Sequence, residues 1–270
     1  VYHGIYGTNT LAYQTSHVTG STIVSNTYGI YWINNRSARN MIANSNIITI
    51  DGISPTTAAK GFSRTAIFMS ETMQHPVTYL ATGNFINMTN GNNGIYAGNL
   101  ANAKIKFNDI RMQATSTGIG INNNLYTSIS CNSVNGDLQD TTFKSFGIFT
   151  GNSSNHTGLH CNNVDSTFNG IFFTGANPNT VMKGNEMSFH KFGLYLTAPF
   201  TVIGIQPHHG NIWNGPFVSF GGINAADPIL VSASRFEVDS TLGNFYNPVV
   251  SPSFGWFQQD TSSNTFFCNN

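Results

Sequence analysis

The sequence contains very little charge. Only 8% of its 270 residues are Asp, Glu, Lys or Arg, and the formal net charge is zero; soluble domains usually hold about three times that share. A basic surface for nucleic acid, or an acidic surface for several cations, needs more charge than this. We therefore expect no nucleic-acid partner and a surface built from Asn, Ser, Thr and Gly.

Long apolar runs are also lacking. No segment approaches the roughly 20 apolar residues of a membrane span, and no basic start precedes an apolar signal core. We therefore expect no membrane insertion. The chain opens on patterned sequence at Val1 without an initiator Met, which we interpret as a processed product or an internal piece of a longer protein. Hydrophobic residues make up 40% of the chain, enough for one large folded domain.

What the sequence has instead is an internal repeat with two markers. The first, a Gly-Ile-aromatic motif or a close variant, starts at Gly4, Gly29, Ala66, Gly94, Gly118, Gly147, Gly170 and Gly193. The second follows the first seven starts by 14 to 18 residues and consists of Gly20, Asn46, Asn84, Asn108, Asn132, Asn162 and Asn185. Two positions beyond each of these asparagines lies an apolar residue. Each unit therefore holds short alternating stretches that meet at polar corners.

Regular repetition of this kind, mostly at 23 to 29 residues, predicts a solenoid without helices. The predicted fold is an all-β, right-handed parallel β-helix of about eight coils over residues 1–200. Residues 201–270, where the rhythm breaks, are predicted to form an irregular C-terminal region that packs on the solenoid or continues it. Loop insertions are predicted at Asp51 to Arg64 and at Asn135 to Ser145. Because Asn tolerates left-handed corners and can stack its amide, a structural ladder is predicted from Asn84, Asn108, Asn132, Asn162 and Asn185.

The repeat resembles the parallel β-helix repeat family, which includes pectate-lyase-like enzymes and many secreted surface proteins. Beyond Pro199, the order of IGIQPHHGNIWNG, DPILVSASRFEVDS and NPVVSPSFGWFQQ is similar to the section that follows the β-helix in large secreted proteins of Bacteroidota. The resemblance implies an extracellular location at a bacterial cell surface. It implies no particular chemistry, because one fold hosts many functions.

An outward row of aromatic residues is the main candidate binding surface. The residue after each repeat Ile is Tyr6, Tyr31, Phe68, Tyr96, Gly120, Phe149, Phe172 or Tyr195. Side chains alternate along a strand, so these residues are predicted to form one stripe that contacts protein or stacks on sugar rings. Two alternatives are that the C-terminal region or an insertion covers the stripe, and that a different alignment places the rings inside.

Cysteine is rare, and its positions leave two alternatives open. Cys131 and Cys161 each directly precede a ladder Asn, so we predict equivalent inward sites about 5 Å apart in successive coils. That distance allows a disulfide, which an extracellular location favours, and it equally allows two buried thiols packed as small apolar residues. Cys268 has no predicted partner, and the absence of Cys-x-x-Cys argues against a zinc site.

Catalytic and metal-binding patterns are weak. His208 and His209 could ligate a metal or act as acid and base, but we interpret them as a hydrogen-bonded turn because no acid lies nearby in the sequence. The clustered aspartates and Arg-Ile-Lys of polygalacturonase-type hydrolases are missing, as is the stacked acidic trio of calcium-dependent lyases. The best place for adventitious Ca²⁺ is the loop with Asp137 and Asp140. We predict no catalytic residue, no metal site and no cofactor.

These observations predict a non-enzymatic structural or adhesive module of a secreted bacterial cell-surface protein. Its expected partners are copies of itself, stacked into a filament, or other parts of a longer parent chain, because solenoid ends expose strand edges. The alternative to the filament is a monomer whose ends are covered by its own C-terminal segment. The alternative function is a β-helix that binds or cleaves polysaccharides through the aromatic stripe, with glycans as partners.

Overall fold

A computed structural model of the chain describes twelve stretches. They are residues 3–9, 15–34, 40–51, 64–72, 78–89, 91–113, 116–137, 145–151, 154–197, 199–243, 246–261 and 264–268. Residues 52–63 of the predicted insertion from Asp51 to Arg64, and residues 138–144 of the one from Asn135 to Ser145, lie outside these stretches, and Asp140 is among them.

The described chain winds into stacked turns whose strands form three long parallel sheets and one short sheet. Sheet 1 has ten strands, and its order along the stack is β1 (His3–Asn9), β4 (Tyr28–Asn34), β7 (Thr65–Glu71), β10 (Asn93–Gly98), β13 (Thr117–Asn122), β16 (Phe146–Gly151), β19 (Asn169–Phe173), β22 (Phe192–Leu196), β25 (Phe220–Asn224) and β27 (Val250–Ser251). Every third strand of the chain up to β25 thus enters sheet 1, as a solenoid with three strands per coil requires.

The two other long sheets have the same order of coils. Sheet 2 consists of β2 (Ser16–Thr19), β5 (Met41–Asn44), β8 (Tyr79–Thr82), β11 (Ala103–Lys106), β14 (Ser128–Ser130), β17 (Gly158–His160) and β20 (Val181–Lys183). Sheet 3 consists of β3 (Thr22–Ser25), β6 (Ile47–Ile50), β9 (Phe85–Met88), β12 (Asp109–Met112), β15 (Ser133–Asn135), β18 (Asn163–Asp165), β21 (Glu186–Ser188) and β24 (Ile212–Asn214). The prediction of an all-β solenoid of about eight turns is confirmed.

The register of sheet 1 follows the predicted repeat. The isoleucine of each Gly-Ile-aromatic motif pairs with the corresponding residue of the next coil, from Ile5 with Ile30 to Ile171 with Leu194. The small residue before each of these isoleucines, glycine in every coil except for Ala66, is required by packing. A Cβ added to Gly147, for example, would lie 2.0 Å from Val164 and 2.6 Å from the backbone oxygen of Gly170. The glycine therefore lets sheet 1 approach the side chains of sheet 3.

The core is a narrow stack of apolar side chains from all three sheets. The apolar residue two positions beyond each ladder asparagine is fully buried, as Ile86, Ile110 and Val134 illustrate. Isoleucines of sheet 1 and alternate residues of sheet 2 complete each layer. Period-2 alternation of this kind buries one face of every strand while leaving the other for solvent.

The C-terminal region continues the solenoid. Strand β24 extends sheet 3, and β25 and β27 extend sheet 1. The remaining strands, β23 (Gln206–Pro207), β26 (Phe236–Asp239) and β28 (Phe257–Asp260), form sheet 4, which is also parallel. Two short 3₁₀ helices, Pro228–Ser234 and Ser240–Leu242, flank β26. The region expected to be irregular thus retains coil-like stacking, with its own aromatic core around Trp213, Phe236 and Trp256.

Candidate functional site

The aromatic residues of sheet 1 form an outward row, in register from coil to coil. Tyr6, the first, is 58% exposed, and the rings that follow it are partly buried. The binding residues predicted from the sequence in this row are Tyr31, Phe68, Tyr96, Phe149, Phe172 and Tyr195. We call these residues together with Tyr6 the aromatic stripe. Each keeps some exposed surface, so the stripe lies on the outer face of sheet 1.

Most neighbouring rings of the stripe stack face to face. The ring centroids of Tyr6 and Tyr31 are 5.0 Å apart at an interplanar angle of 4°, and Phe68 lies 4.8 Å from Tyr31 and 5.2 Å from Tyr96. Where the faces are turned towards the next coil, the surface presented to a partner consists of ring edges. At the far end of the stripe Tyr195 meets Phe172 edge to face, at 76°. Burial in this row raises the pKa of the Tyr31 hydroxyl, and the neighbouring Tyr28 and Tyr6 contribute to the same direction.

Gly120 interrupts the stack. It lies in register between Tyr96 and Phe149, so the two rings that flank it are about 10 Å apart, or two interstrand spacings. A Cβ added to Gly120 would meet no heavy atom closer than 3.5 Å, and the backbone there is an ordinary strand. At this gap the stripe lacks one ring.

A second column runs along the corner between sheets 2 and 3. The five predicted ladder residues, Asn84, Asn108, Asn132, Asn162 and Asn185, are all buried and hydrogen-bonded in series. Each side-chain Nδ2 donates to the Oδ1 of the next coil at 2.8–2.9 Å. The same oxygen also accepts the backbone N–H of the preceding ladder residue, at 3.1–3.2 Å. The column thus satisfies the polar backbone that the tight corner would otherwise bury.

The ladder extends one residue further at each end. Asn46 donates to Asn84, and Asn185 donates to Asn211. Asn211 was not predicted from the sequence, because it lies beyond residue 200, where the repeat was predicted to end. The signal was present, since Asn211 is followed two positions later by the buried Trp213, as the repeat rule requires.

Neither of the two alternatives for Cys131 and Cys161 is found, since they are neither bonded to each other nor two buried thiols. The disulfide joins Cys161 to Cys268, with 5.8 Å between the Cα atoms, and Cys131 is a free, exposed thiol. Neither corner cysteine points inward, because both have left-handed backbone, with φ of 54° at Cys131 and 52° at Cys161. That conformation turns the side chain off the corner and makes Cys161 accessible to the returning C-terminal segment.

The position directly before each ladder asparagine, which we call the corner position, also explains where the C-terminal segment lies. In the two coils that follow Cys161, the corner residue is glycine: Gly184 and Gly210, with φ of 65° and 61°. A Cβ on Gly184 would lie 2.2 Å from the Cys268 sulfur, and one on Gly210 would lie 1.8 Å from the Phe266 carbonyl oxygen. In other coils Phe107 or Cys131 occupies this position, also with a positive φ. Glycine is therefore needed here for the segment to pack.

Replacing Gly184 by Asn should prevent this disulfide. Asn adopts positive φ readily, so the corner should persist while its side chain occupies the space of Cys268. Peptide mapping of the native protein should then find no Cys161–Cys268 bond. Gly83→Asn is the matched control, since a Cβ there meets nothing closer than 3.5 Å, and it should retain that bond. A Cys161–Cys268 bond in Gly184→Asn would contradict this explanation.

The histidine pair lies beside the same segment. His208 Nε2 is 3.0 Å from the Asp260 carboxylate, and its carbonyl accepts the Phe266 N–H. His209 Nδ1 lies 3.2 Å from Gln206 Oε1, and burial, with smaller help from nearby Lys183, lowers the pKa of His209. The adjoining cavity holds about 10 Å³, room for about one water. These contacts are those of a hydrogen-bonded turn, as expected from the sequence. The acid near His208, Asp260, is distant in the sequence and comes close only in the folded chain.

A buried histidine was not singled out from the sequence. His190 is fully buried beside Gly170, whose added Cβ would lie 2.7 Å from His190 Nε2. Its Nε2 lies 3.1 Å from the Val164 carbonyl oxygen, and its Nδ1 accepts the Thr167 N–H at 3.2 Å. Burial lowers its pKa to about 4, against the smaller opposing effects of the backbone hydrogen bonds and Asp165.

Acidic side chains do not assemble into a metal site within the described stretches, where no group of three or more His, Cys, Asp or Glu residues has suitable spacing. Asp109 pairs with Arg111 at 3.5 Å, and Glu186 accepts from Asn214. Asp137 is exposed, while its predicted companion Asp140 is not among the described residues. Nor does the described part of the chain contain a helix long and apolar enough to cross a membrane.

Comparisons with family models, with curated proteins and with solved structures give no match at the significance required.

Proposed function

We propose that this chain is a non-enzymatic structural and adhesive module of a secreted bacterial cell-surface protein. The observation that carries the proposal is the aromatic stripe: seven outward rings in register on one face of a ten-stranded sheet. Exposed rows of aromatic residues favour contact with another macromolecular surface. Ring edges in a regular row suit a second extended surface, such as another copy of the solenoid or a neighbouring part of a longer chain.

Two further observations support the extracellular location. The Cys161–Cys268 disulfide is of a kind that persists in oxidising compartments. The β-helix resemblance and the order of motifs beyond Pro199 support a place among large secreted proteins of Bacteroidota. The solenoid itself supplies a stiff spacer, because each coil is tied to the next by backbone hydrogen bonds and by the asparagine ladder.

The test compares adhesion of the native protein with that of a stripe variant. Beads coated with the chain should adhere to a surface coated with the same chain, and Tyr31→Ser, Phe68→Ser, Tyr96→Ser combined should reduce that adhesion severalfold. Val24 and Ile47, 57% and 50% exposed on sheet 3, provide the control when both are replaced by Ser. Should the native chain remain monomeric at high concentration and adhere no better than the stripe variant, the proposal fails.

The Gly120 gap favours a second candidate function, binding of a polysaccharide. Tyr96 and Phe149 each lack a ring neighbour on the side that faces Gly120, so these faces are the ones on which a sugar ring could stack. Cleavage would additionally need an acid and a base beside the bound sugar. A panel of neutral and acidic polysaccharides, assayed for binding and for turnover with and without Ca²⁺, tests this alternative.

Filling the gap separates the two functions. Gly120→Tyr should complete the stack and raise the free energy of unfolding by about 1 kcal/mol, the usual value of an aromatic pair. Gly120→Ala controls for the loss of backbone freedom alone. If polysaccharide binding requires the gap, Gly120→Tyr should abolish it, whereas adhesion between copies should persist. A destabilised Gly120→Tyr protein would show that the gap is not an open ring position.

A further inference from the structure

The three cysteines meet in one surface groove. The groove has a volume of about 650 Å³, and its lining includes Phe107, Cys131, Cys161, Gly184, Phe267 and Cys268. Cys131 and Cys161 occupy the same corner position in successive coils, between the paired residues Ser130 and His160 on one side and two bonded ladder asparagines on the other. A free thiol therefore lies directly beside a disulfide.

The geometry allows the free thiol to replace one member of that disulfide. Equivalent residues of adjacent parallel strands have Cα atoms about 4.8 Å apart, within the range of about 4.4–6.8 Å found for bonded cysteines. The φ values of Cys131 and Cys161 differ by only 2°, so their Cβ atoms leave the corner in parallel. Cys131 is exposed, Cys161 is partly exposed, and both residues line the groove.

We propose that this groove is a thiol–disulfide exchange site that transfers the bond of Cys161 from Cys268 to Cys131. The Cys131 thiolate attacks the Cys161 sulfur, the Cys161–Cys268 bond breaks and a Cys131–Cys161 bond forms. Cys268 leaves as the thiolate and takes up the proton that Cys131 gave up. One disulfide and one thiol are present before and after, so no oxidant or reductant is consumed.

The exchange changes how the C-terminal segment is held. Before the exchange, the Cys161–Cys268 bond fastens residues 264–268 covalently to the solenoid. After it, the segment keeps non-covalent contacts, namely the hydrogen bond from the Phe266 N–H to the His208 carbonyl at 3.0 Å and the Lys183 ammonium 4.1 Å from the centre of the Phe266 ring. The freed thiol of Cys268 then lies on a segment able to leave the groove and to form a bond with another thiol. This site acts independently of the aromatic stripe.

Mapping of the free thiol tests the exchange. The native protein is incubated at about pH 8.5, where thiolates form readily. Samples are quenched with acid and alkylated under denaturing conditions, and peptides are identified by mass spectrometry. At the start the label should lie on Cys131, and with time it should move to Cys268 while the total stays at one per chain. The rate should be independent of protein concentration, as an intramolecular step requires.

Two variants keep the test decisive. In Cys131→Ser, Cys268 should remain unlabelled throughout, and label on Cys268 would overturn the proposed route. In Cys268→Ser, mild oxidation should produce the Cys131–Cys161 bond, and two persisting thiols would show that the sulfurs cannot meet. Label that stays on Cys131 in the wild type, or transfer whose rate rises with protein concentration, would also overturn the proposal. Far-UV circular dichroism of each variant verifies that the solenoid is folded.

Discussion

Replacing Asn132 by leucine should lower the free energy of unfolding by roughly 3 to 5 kcal/mol. The Asn132 Oδ1 accepts from both the backbone N–H and the side chain of Asn108, and its Nδ2 donates to Asn162 and to the Ile105 carbonyl oxygen. Leucine fills the space but leaves buried groups of these neighbours without a partner. Each such group costs about 1–3 kcal/mol, and equilibrium denaturation in urea would measure the sum.

The matched control is Asn163→Leu. Asn163 has the same side chain, lies one position beyond ladder residue Asn162 and is exposed on β18. Leucine there should change stability by no more than about 0.5 kcal/mol, as surface substitutions usually do. Equal effects of the two substitutions would mean that the ladder contributes little to the stability of the coil.

Acidification should destabilise the protein through His190. Its pKa is lowered to about 4 in the folded state, whereas an unfolded histidine titrates near 6.5. The unfolded state therefore binds the proton more readily, and stability is lost as the pH falls from about 6.5 to about 4. Below that range both states are protonated and this contribution stops changing. The total is roughly 3 kcal/mol.

The variant His190→Gln isolates this contribution. Glutamine can still donate to the Val164 carbonyl but does not titrate. Between pH 7 and pH 4, the free energy of unfolding of the variant should therefore fall by roughly 3 kcal/mol less than that of the wild type. The slope with pH is the readout, so a general loss of stability in the variant does not obscure it. His17→Gln, at an exposed position of β2, removes one imidazole from the surface and should retain the wild-type slope. An unchanged slope in His190→Gln would mean that protonation of His190 does not limit acid stability.

The local repeat was sufficient to predict the fold, the stacking of the Gly-Ile-aromatic positions and the asparagine ladder. The Gly-Ile-aromatic motif identifies coil positions because close approach of sheet 1 to sheet 3 admits only small residues there. The Asn-x-apolar motif identifies the corner because only an amide can bridge two coils while the residue beyond it enters the core. Both constraints involve only one coil and its neighbour, so each produces a short motif that can be recognised in the sequence.

The disulfide and the buried histidine could not be found in this way. Cys161 and Cys268 are 107 residues apart, and their meeting depends on how the chain returns after sheet 4. The error at Cys131 arose from treating the corner residue as part of the alternating strand, although its positive φ turns it outward. His190 lies beside Gly170, whereas the corresponding Gly147 lies beside the aliphatic Val164. No single-residue pattern distinguishes such a histidine from one on the surface.

The asparagine ladder also has a direction. Every link from Asn46 to Asn211 donates towards the C-terminal coils and accepts from the N-terminal side, so the amide dipoles add along the axis and polarise one another. The rod is therefore vectorial, with partial negative charge towards its N-terminal coils and partial positive charge towards its C-terminal coils. Copies that join end to end in one orientation continue this dipole, whereas two copies meeting by like ends set equal poles against each other.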